Sequence, residues 1–144
     1  MKKLAFIFCA FILFAFQPAT KNIEGVWKLV AYKGVNNGIV THTIHSEEEG
    51  KQLKTWTKTH FLFVGKYKMD EGWLNNFGCG TYTLDGNHYS EKIDIHTGGA
   101  QYEGTTAKLL IYFSGDTLIQ INPVNDDWTY DKNNYRIEKY IRAE

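Results

Sequence analysis

The spacing of turn-forming residues constrains the fold of this chain most strongly. From residue 25 onward, short runs rich in apolar residues are separated by Gly, Asn and Asp, and the 3.6-residue period of a helix is almost absent. Many short strands at regular spacing indicate an all-β barrel or sandwich. The runs predict strands at 25–33, 38–44, 52–57, 59–67, 78–84, 88–96, 106–113, 117–122 and 133–142. The longest irregular segments are predicted at 68–77, 97–105 and 123–132.

The N-terminus has the pattern of a secretory signal peptide. Two lysines follow Met1 and precede an apolar run at 4–16, which is shorter than the roughly 20 residues that span a membrane. We therefore expect a signal peptide at 1–19 and one domain at 20–144. The domain would be exported to the periplasm or the extracellular space, without stable membrane insertion after cleavage. A retained membrane anchor is the alternative.

Composition limits the function classes. Lys+Arg and Asp+Glu both number 16, so the chain lacks the basic excess typical of nucleic-acid binders, and we expect no nucleic-acid partner. Hydrophobic residues make up 43% of the chain and aromatic residues 15%, which is enough for a packed core. Without the leader, Cys79 is the single cysteine, so the domain must be stable without an intrachain disulfide.

The dipeptide Asp85-Gly86 predicts a β-hairpin with a two-residue type I′ turn. The expected register pairs Tyr82 with Tyr89 and places Glu91 opposite Gly80. The mainly apolar face is expected to point inward and carries Gly80, Tyr82, Leu84, Tyr89, Glu91, Ile93 and Ile95. The polar, outer face carries Thr81, Thr83, His88, Ser90, Lys92, Asp94 and His96. An inward carboxylate requires a hydrogen-bonding partner or a water-filled cavity, unless it reaches solvent at the barrel mouth.

A second hairpin is predicted around Ser114-Gly115-Asp116-Thr117. Its register pairs Ile111 with Gln120 and Tyr112 with Ile119. Both faces of these two strands are apolar, so the pattern does not decide which pair points inward.

Gly25 and Trp27 open the first predicted strand as Gly-x-Trp, which resembles the lipocalin (calycin) signature. The resemblance implies an antiparallel up-and-down β-barrel of about eight to ten strands. It also implies that a basic residue of the last strand packs across Trp27 at the closed barrel end, with Arg142 as the candidate and Arg136 as the reserve. The segments 59–63, 80–84 and 89–91 resemble small bacterial exported lipocalin-like domains of unassigned function.

An aromatic-lined barrel with a few polar groups is typical of a small-molecule site. We expect it to bind a small apolar or aromatic ligand in its interior, without a cofactor. The candidate ligand-binding residues are Trp56, His60, Phe63, Tyr82, Tyr89, Glu91, Tyr112 and Gln120. The alternative is a filled barrel that acts as a surface interaction module through loop aromatics such as Trp73 and Trp128.

A different function class would follow if His60 and Glu91 both pointed inward, because a His hydrogen-bonded to a carboxylate is a plausible acid–base pair of an enzyme. Alternation along the strand does not decide the direction of His60, and we favour a binding protein over an enzyme. His42, His45 and Glu47 are metal-ligand types, but the two His would point to opposite faces of a strand. We therefore expect no metal site.

Overall fold

The computed structural model describes residues 21–143, so the predicted signal peptide lies outside the described residues. Nine strands form where nine were predicted, and no helix interrupts them between residues 21 and 143. Their bounds are β1 Gly25–Asn36, β2 Ile39–Ile44, β3 Gly50–Trp56, β4 His60–Met69, β5 Gly72–Asp85, β6 His88–His96, β7 Thr106–Ser114, β8 Thr117–Asn122 and β9 Tyr135–Arg142. The largest difference is at 68–77, predicted to be irregular, where β4 and β5 continue and join tightly.

The strands close into an eight-stranded antiparallel barrel with one additional strand. The order is β2-β1-β3-β4-β5-β6-β7-β8-β9, and β1 also pairs with β9. β1 makes both the closure and the extra pairing, because its beginning pairs with β3, its residues 27–35 pair with β9, and its last part pairs with β2. Closure removes the unpaired sheet edges that would otherwise favour aggregation.

One end of the barrel is closed by Trp27 and Arg142, as the lipocalin resemblance implied. The guanidinium carbon of Arg142 lies 4.2 Å from the Trp27 ring centre, and Trp27 Nε1 donates to the Ile23 carbonyl at 2.7 Å. Arg142 also donates to the carbonyls of Asn22 and Glu24. A Cβ atom at Gly25 would collide with the guanidinium, so the glycine of the Gly-x-Trp pattern leaves room for it.

The β5–β6 hairpin differs from its predicted register by two residues. Asp85 pairs with His88, and the turn residues are Gly86 and Asn87. Gly86 has a positive φ of 59° and Asn87 does not, which is typical of a type II′ turn with glycine first. Glu91 therefore pairs with Tyr82 and not with Gly80. Because a shift of two preserves the side-chain alternation, the predicted inward face remains inward near the turn.

The inward face changes at a β-bulge farther along this hairpin. Gly80 pairs with Ile93 and Cys79 with Ile95, so Asp94 is an extra residue in β6. A Cβ atom at Gly80 would overlap the Lys92 carbonyl oxygen, so this close approach requires glycine. Beyond the bulge the expected faces are reversed: Ile95 is 51% exposed, whereas the His96 ring packs against the inward ring of Phe63.

The β7–β8 hairpin has the predicted register, with Ile111 opposite Gln120 and Tyr112 opposite Ile119. Ile111 and Gln120 are the inward pair, because both are buried, whereas Tyr112 is 40% exposed. Tyr112 thus lies on the outer wall and not in the interior, where it was expected.

Of the two aromatic residues predicted on loops, Trp73 lies in a strand and Trp128 lies in a loop. Trp73 belongs to β5, and the Lys66 Nζ lies 4.5 Å from its ring centre. Trp128 lies in the irregular segment 123–132 and stacks on the His88 ring at 4.2 Å. Its positive φ of 62° is unusual for a large side chain. The packing of Trp128 on β6 places this segment against the outer wall of the barrel.

Candidate functional site

The barrel is not filled: a cavity of about 640 Å³ opens at the end opposite Trp27 and Arg142. Its mouth is bordered by the start of β9, by the last residue of β8 and residues 123–124 that follow it, and by Tyr102 in the segment between β6 and β7. Apolar wall positions include Phe63, Ile93, Ala107 and Leu109. A volume of this size is in the range of small-molecule sites.

The floor of the cavity holds a buried ion pair. Lys54 Nζ lies 2.5 Å from Glu91 Oε1, and the two side chains are 4% and 8% exposed. The Tyr89 hydroxyl donates to the same carboxylate oxygen at 3.0 Å, and Trp56 Nε1 donates to the Tyr89 oxygen at 2.7 Å. The inward carboxylate predicted at Glu91 therefore has a cationic partner in the barrel interior.

Lys54 is surrounded by aromatic rings as well as by polar groups. Its Nζ lies 5.0–5.8 Å from four ring centres, those of Trp56, Phe61, Phe63 and Tyr89. Cation–π attraction at these distances offsets part of the cost of removing the ammonium from water.

Gln120 is the third polar group of the floor. Its Oε1 accepts a 3.3 Å hydrogen bond from Lys54 Nζ, and this contact with a cation fixes the orientation of the amide. The side chain is fully buried, and its Nε2 has no hydrogen-bond partner among residues 21–143. The floor therefore retains a spare buried donor.

A second polar layer lies closer to the mouth. Gln52 Oε1 accepts hydrogen bonds from the Tyr67 hydroxyl at 2.5 Å and from Asn76 Nδ2 at 2.7 Å. Gln52 Nε2 donates to the Tyr140 oxygen at 2.6 Å, and the Tyr140 hydroxyl donates to Glu138 Oε2 at 2.6 Å. The pKa values of Tyr67 and Tyr140 are raised above the ordinary value, mainly by burial and secondly by the nearby Glu138 carboxylate. Both hydroxyls therefore stay protonated as donors.

The charges that line the cavity are balanced. Lys54, Lys108 and Arg136 are basic, and Glu91, Asp126 and Glu138 are acidic. Lys108 Nζ contacts Asp126 Oδ1 at 2.7 Å, and this hydrogen bond lowers the pKa of the Asp126 carboxyl. Burial lowers the pKa of His96, which also lines the cavity. The lining therefore favours a ligand without a large net charge.

The predicted ligand-binding residues fall into four groups. Phe63 and Glu91 line the cavity, and Trp56, Tyr89 and Gln120 are buried residues that surround the Lys54–Glu91 pair. Tyr82 is on the inward face but its ring packs against Tyr89 and its hydroxyl donates to the Thr57 carbonyl, away from the cavity lining. His60 and Tyr112 lie outside the barrel wall.

His60 does not form a pair with Glu91, which was the condition of the enzyme alternative. Phe61 and Phe63 are the buried residues of β4, so alternation directs His60 to the outer face, where it is exposed. Its Nδ1 lies 2.8 Å from the Thr59 hydroxyl oxygen. The acid–base pair on which the enzyme alternative depended is therefore not assembled in this structure.

The metal-ligand candidates are also separated. The His42 ring packs against Tyr32, His45 is exposed, and Glu47 pairs with Lys28. No group of three or more His, Cys, Asp or Glu side chains with the spacing of a metal site occurs in the described part of the chain.

Sequence reasoning missed Lys54, although a signal was present. Trp56 was assigned to the interior, and a residue two positions earlier on the same strand must share its face. The same alternation points Gln52 inward. Residue type argued against the interior at this position, because lysine is rarely buried unless it is paired.

The chain matches no protein-family model and no curated protein sequence. Within residues 21–143, no helix is long and apolar enough to cross a membrane.

Proposed function

We propose that this protein binds a small molecule with an apolar or aromatic body in the barrel cavity. The observation that carries the proposal is the open cavity of about 640 Å³ with a polar floor. Phe63, Ile93 and Leu109 offer contacts for an apolar body, and the floor and the Gln52 layer offer hydrogen bonds for a polar end. Since the lining charges balance, the preferred ligand is uncharged or zwitterionic.

The proposal extends to family and location. The Gly-x-Trp start, the Trp27–Arg142 contact at the closed end and the order of the strands all support a lipocalin-like relationship. The apolar run at 4–16 supports export to the periplasm or the extracellular space. N-terminal sequencing of protein recovered from outside the cytoplasm tests this part, and a chain that keeps Met1 and remains inside the cell would refute it.

A cavity-blocking variant tests ligand binding directly. Ala107 lines the cavity, so Ala107→Trp places a large ring in the space that a ligand would occupy. Ala143 is exposed just beyond β9 at the closed end, and Ala143→Trp is the matched control. The readout is the fluorescence of N-phenyl-1-naphthylamine, an uncharged aromatic probe that becomes bright in apolar sites.

We expect the probe to bind the original protein and the Ala143→Trp variant with similar affinity. The Ala107→Trp variant is expected to bind it at least about tenfold more weakly, because the probe and the new ring compete for one volume. Native mass spectrometry of the same samples identifies any small molecule that co-purifies. Equal probe binding by the two variants, or no binding at all, would remove support for an interior site.

A further inference from the structure

Lys54 carries a primary amino group at the floor of the proposed ligand cavity. It is one of the residues that line the cavity, although it is only 4% exposed. A primary amine in such a place has two options: it can hold a ligand through charge, or it can react with one. The geometry around Nζ distinguishes the two.

The Nζ atom has three N–H bonds, and two of them have partners. One points to Glu91 Oε1 at 2.5 Å and a second to Gln120 Oε1 at the longer distance of 3.3 Å. The third has no hydrogen-bond partner within residues 21–143. An imine formed with a carbonyl compound keeps a single N–H when it is protonated, and the Glu91 contact can retain that hydrogen. The weaker Gln120 contact would be released.

The charges around Nζ suit both the starting amine and the product. A protonated imine carries the same positive charge as the ammonium, so the Glu91 carboxylate serves as its counter-ion. The rings of Trp56, Phe61, Phe63 and Tyr89 that face Nζ stabilise either cation. Imine formation therefore does not leave a buried charge unpaired.

We propose that Lys54 captures aldehydes or ketones reversibly as an imine in the cavity, an inference that rests on the proposed ligand-binding function. Glu91 takes one proton from the ammonium, the neutral amine adds to the carbonyl carbon, and a proton moves from the nitrogen to the former carbonyl oxygen. The resulting carbinolamine loses its hydroxyl group as water, with the proton returned by Glu91, and the C=N bond forms. Carbon, nitrogen and oxygen keep their oxidation states, so no oxidant or reductant takes part.

The test uses cinnamaldehyde as the probe and cyanoborohydride to reduce the imine to a stable secondary amine. Because residues 21–143 form a closed barrel with its own core, a chain that starts at Thr20 is used. Peptide mapping by mass spectrometry then measures the label on each lysine. Burial alone makes Lys54 one of the slowest lysines to react, whereas capture in the cavity makes it the fastest.

At a substoichiometric aldehyde concentration, we expect at least tenfold more label on Lys54 than on exposed lysines such as Lys51 and Lys139. Lys54→Met removes this label, and Ala107→Trp reduces it at least tenfold, because it keeps the lysine but blocks the cavity. Ala143→Trp leaves it unchanged.

Cinnamyl alcohol separates failure of this inference from failure of the proposed function, because it has the same body without the carbonyl. If the alcohol displaces N-phenyl-1-naphthylamine from the barrel but Lys54 is labelled no faster than surface lysines, the cavity binds ligands and imine capture is refuted. If neither compound reaches the cavity, both the binding function and this inference are wrong.

Discussion

Loss of the Glu91 charge is expected to destabilise the barrel strongly, because it leaves Lys54 buried without a counter-ion. The change Glu91→Gln conserves the shape of the side chain and one possible acceptor while removing the charge. Breaking a buried pair by removing one partner costs about 3–5 kcal/mol. The 2.5 Å contact and the 4% and 8% exposure place Lys54 and Glu91 in this class.

The size of this effect has an upper limit. A lysine in water has a pKa of about 10.4, so giving up its proton at pH 7 costs about 4.6 kcal/mol. Loss of the counter-ion cannot destabilise the barrel by more than this amount, because the buried ammonium can release its proton instead. The aromatic rings and the Gln120 carbonyl retain some stabilisation, so we expect about 3 kcal/mol for Glu91→Gln.

Urea denaturation at pH 7, followed by tryptophan fluorescence and circular dichroism, measures this free energy of unfolding. The matched control is Glu47→Gln, since Glu47 contacts Lys28 at 2.9 Å with side chains that are 62% and 42% exposed. That exposed pair is expected to contribute far less than the buried pair, because solvent screens its charges. The double variant Lys54→Met with Glu91→Leu should be more stable than either single Lys54 or Glu91 change, because no unpaired charge remains. A cost for Glu91→Gln as small as that for Glu47→Gln would refute the reasoning.

Three further predictions follow from other parts of the barrel. Arg142→Gln removes the contact with Trp27 and is expected to cost about 1–3 kcal/mol in urea denaturation; a cost near zero would contradict its role at the closed end. The pKa values of Tyr89 and Tyr140 are raised by burial, so stability is expected to fall as the pH rises above about 10, where unfolded tyrosines ionise. Absorbance at 295 nm should then show that Tyr89 and Tyr140 ionise only at the pH values where circular dichroism reports unfolding. Complete tyrosine ionisation in a barrel that is still folded would argue against their burial. Burial lowers the pKa of His96, so its contribution to stability is lost as the pH falls below about 6.5, and His96→Gln should lessen the decrease in the urea midpoint between pH 7 and 5.5. An unchanged pH dependence in that variant would contradict this contribution.

The strands were predictable because their local signals agree with the final fold. Alternation identified the inward positions of Tyr89 and Glu91, and turn residues separated the strands. The register of their hairpin was not predictable, because Asp85-Gly86 and Gly86-Asn87 are both favourable turn dipeptides. Pairing with the neighbouring strands decides between them, and that information is not local.

Alternation failed to place His60 and His96 on the correct face for different physical reasons. For His60, the residues on both faces of β4 are mainly apolar, since Leu62 and Val64 lie with His60 on the outer face. A pattern that is apolar on both faces carries no direction. For His96, the pattern was clear, but the bulge at Asp94 reverses the alternation after it. A bulge inserts one residue without a distinct sequence signal except the nearby Gly80, which the close strand approach requires.

The interior ion pair illustrates what one sequence can and cannot specify about a site. An inward Glu91 implied a hydrogen-bonding partner, a water-filled cavity or access to solvent at the barrel mouth, because an unpaired buried carboxylate is too costly. The partner lies 37 residues away on a strand that is not adjacent to β6 in the sheet, and it reaches Glu91 across the barrel. Alternation alone places Lys54 inside and gives no distance to Glu91. Only closure of the barrel, which β1 makes by pairing with β9, brings opposite walls together. That the carboxylate needs compensation was therefore a local inference, while the identity of Lys54 as its partner is a property of the closed sheet.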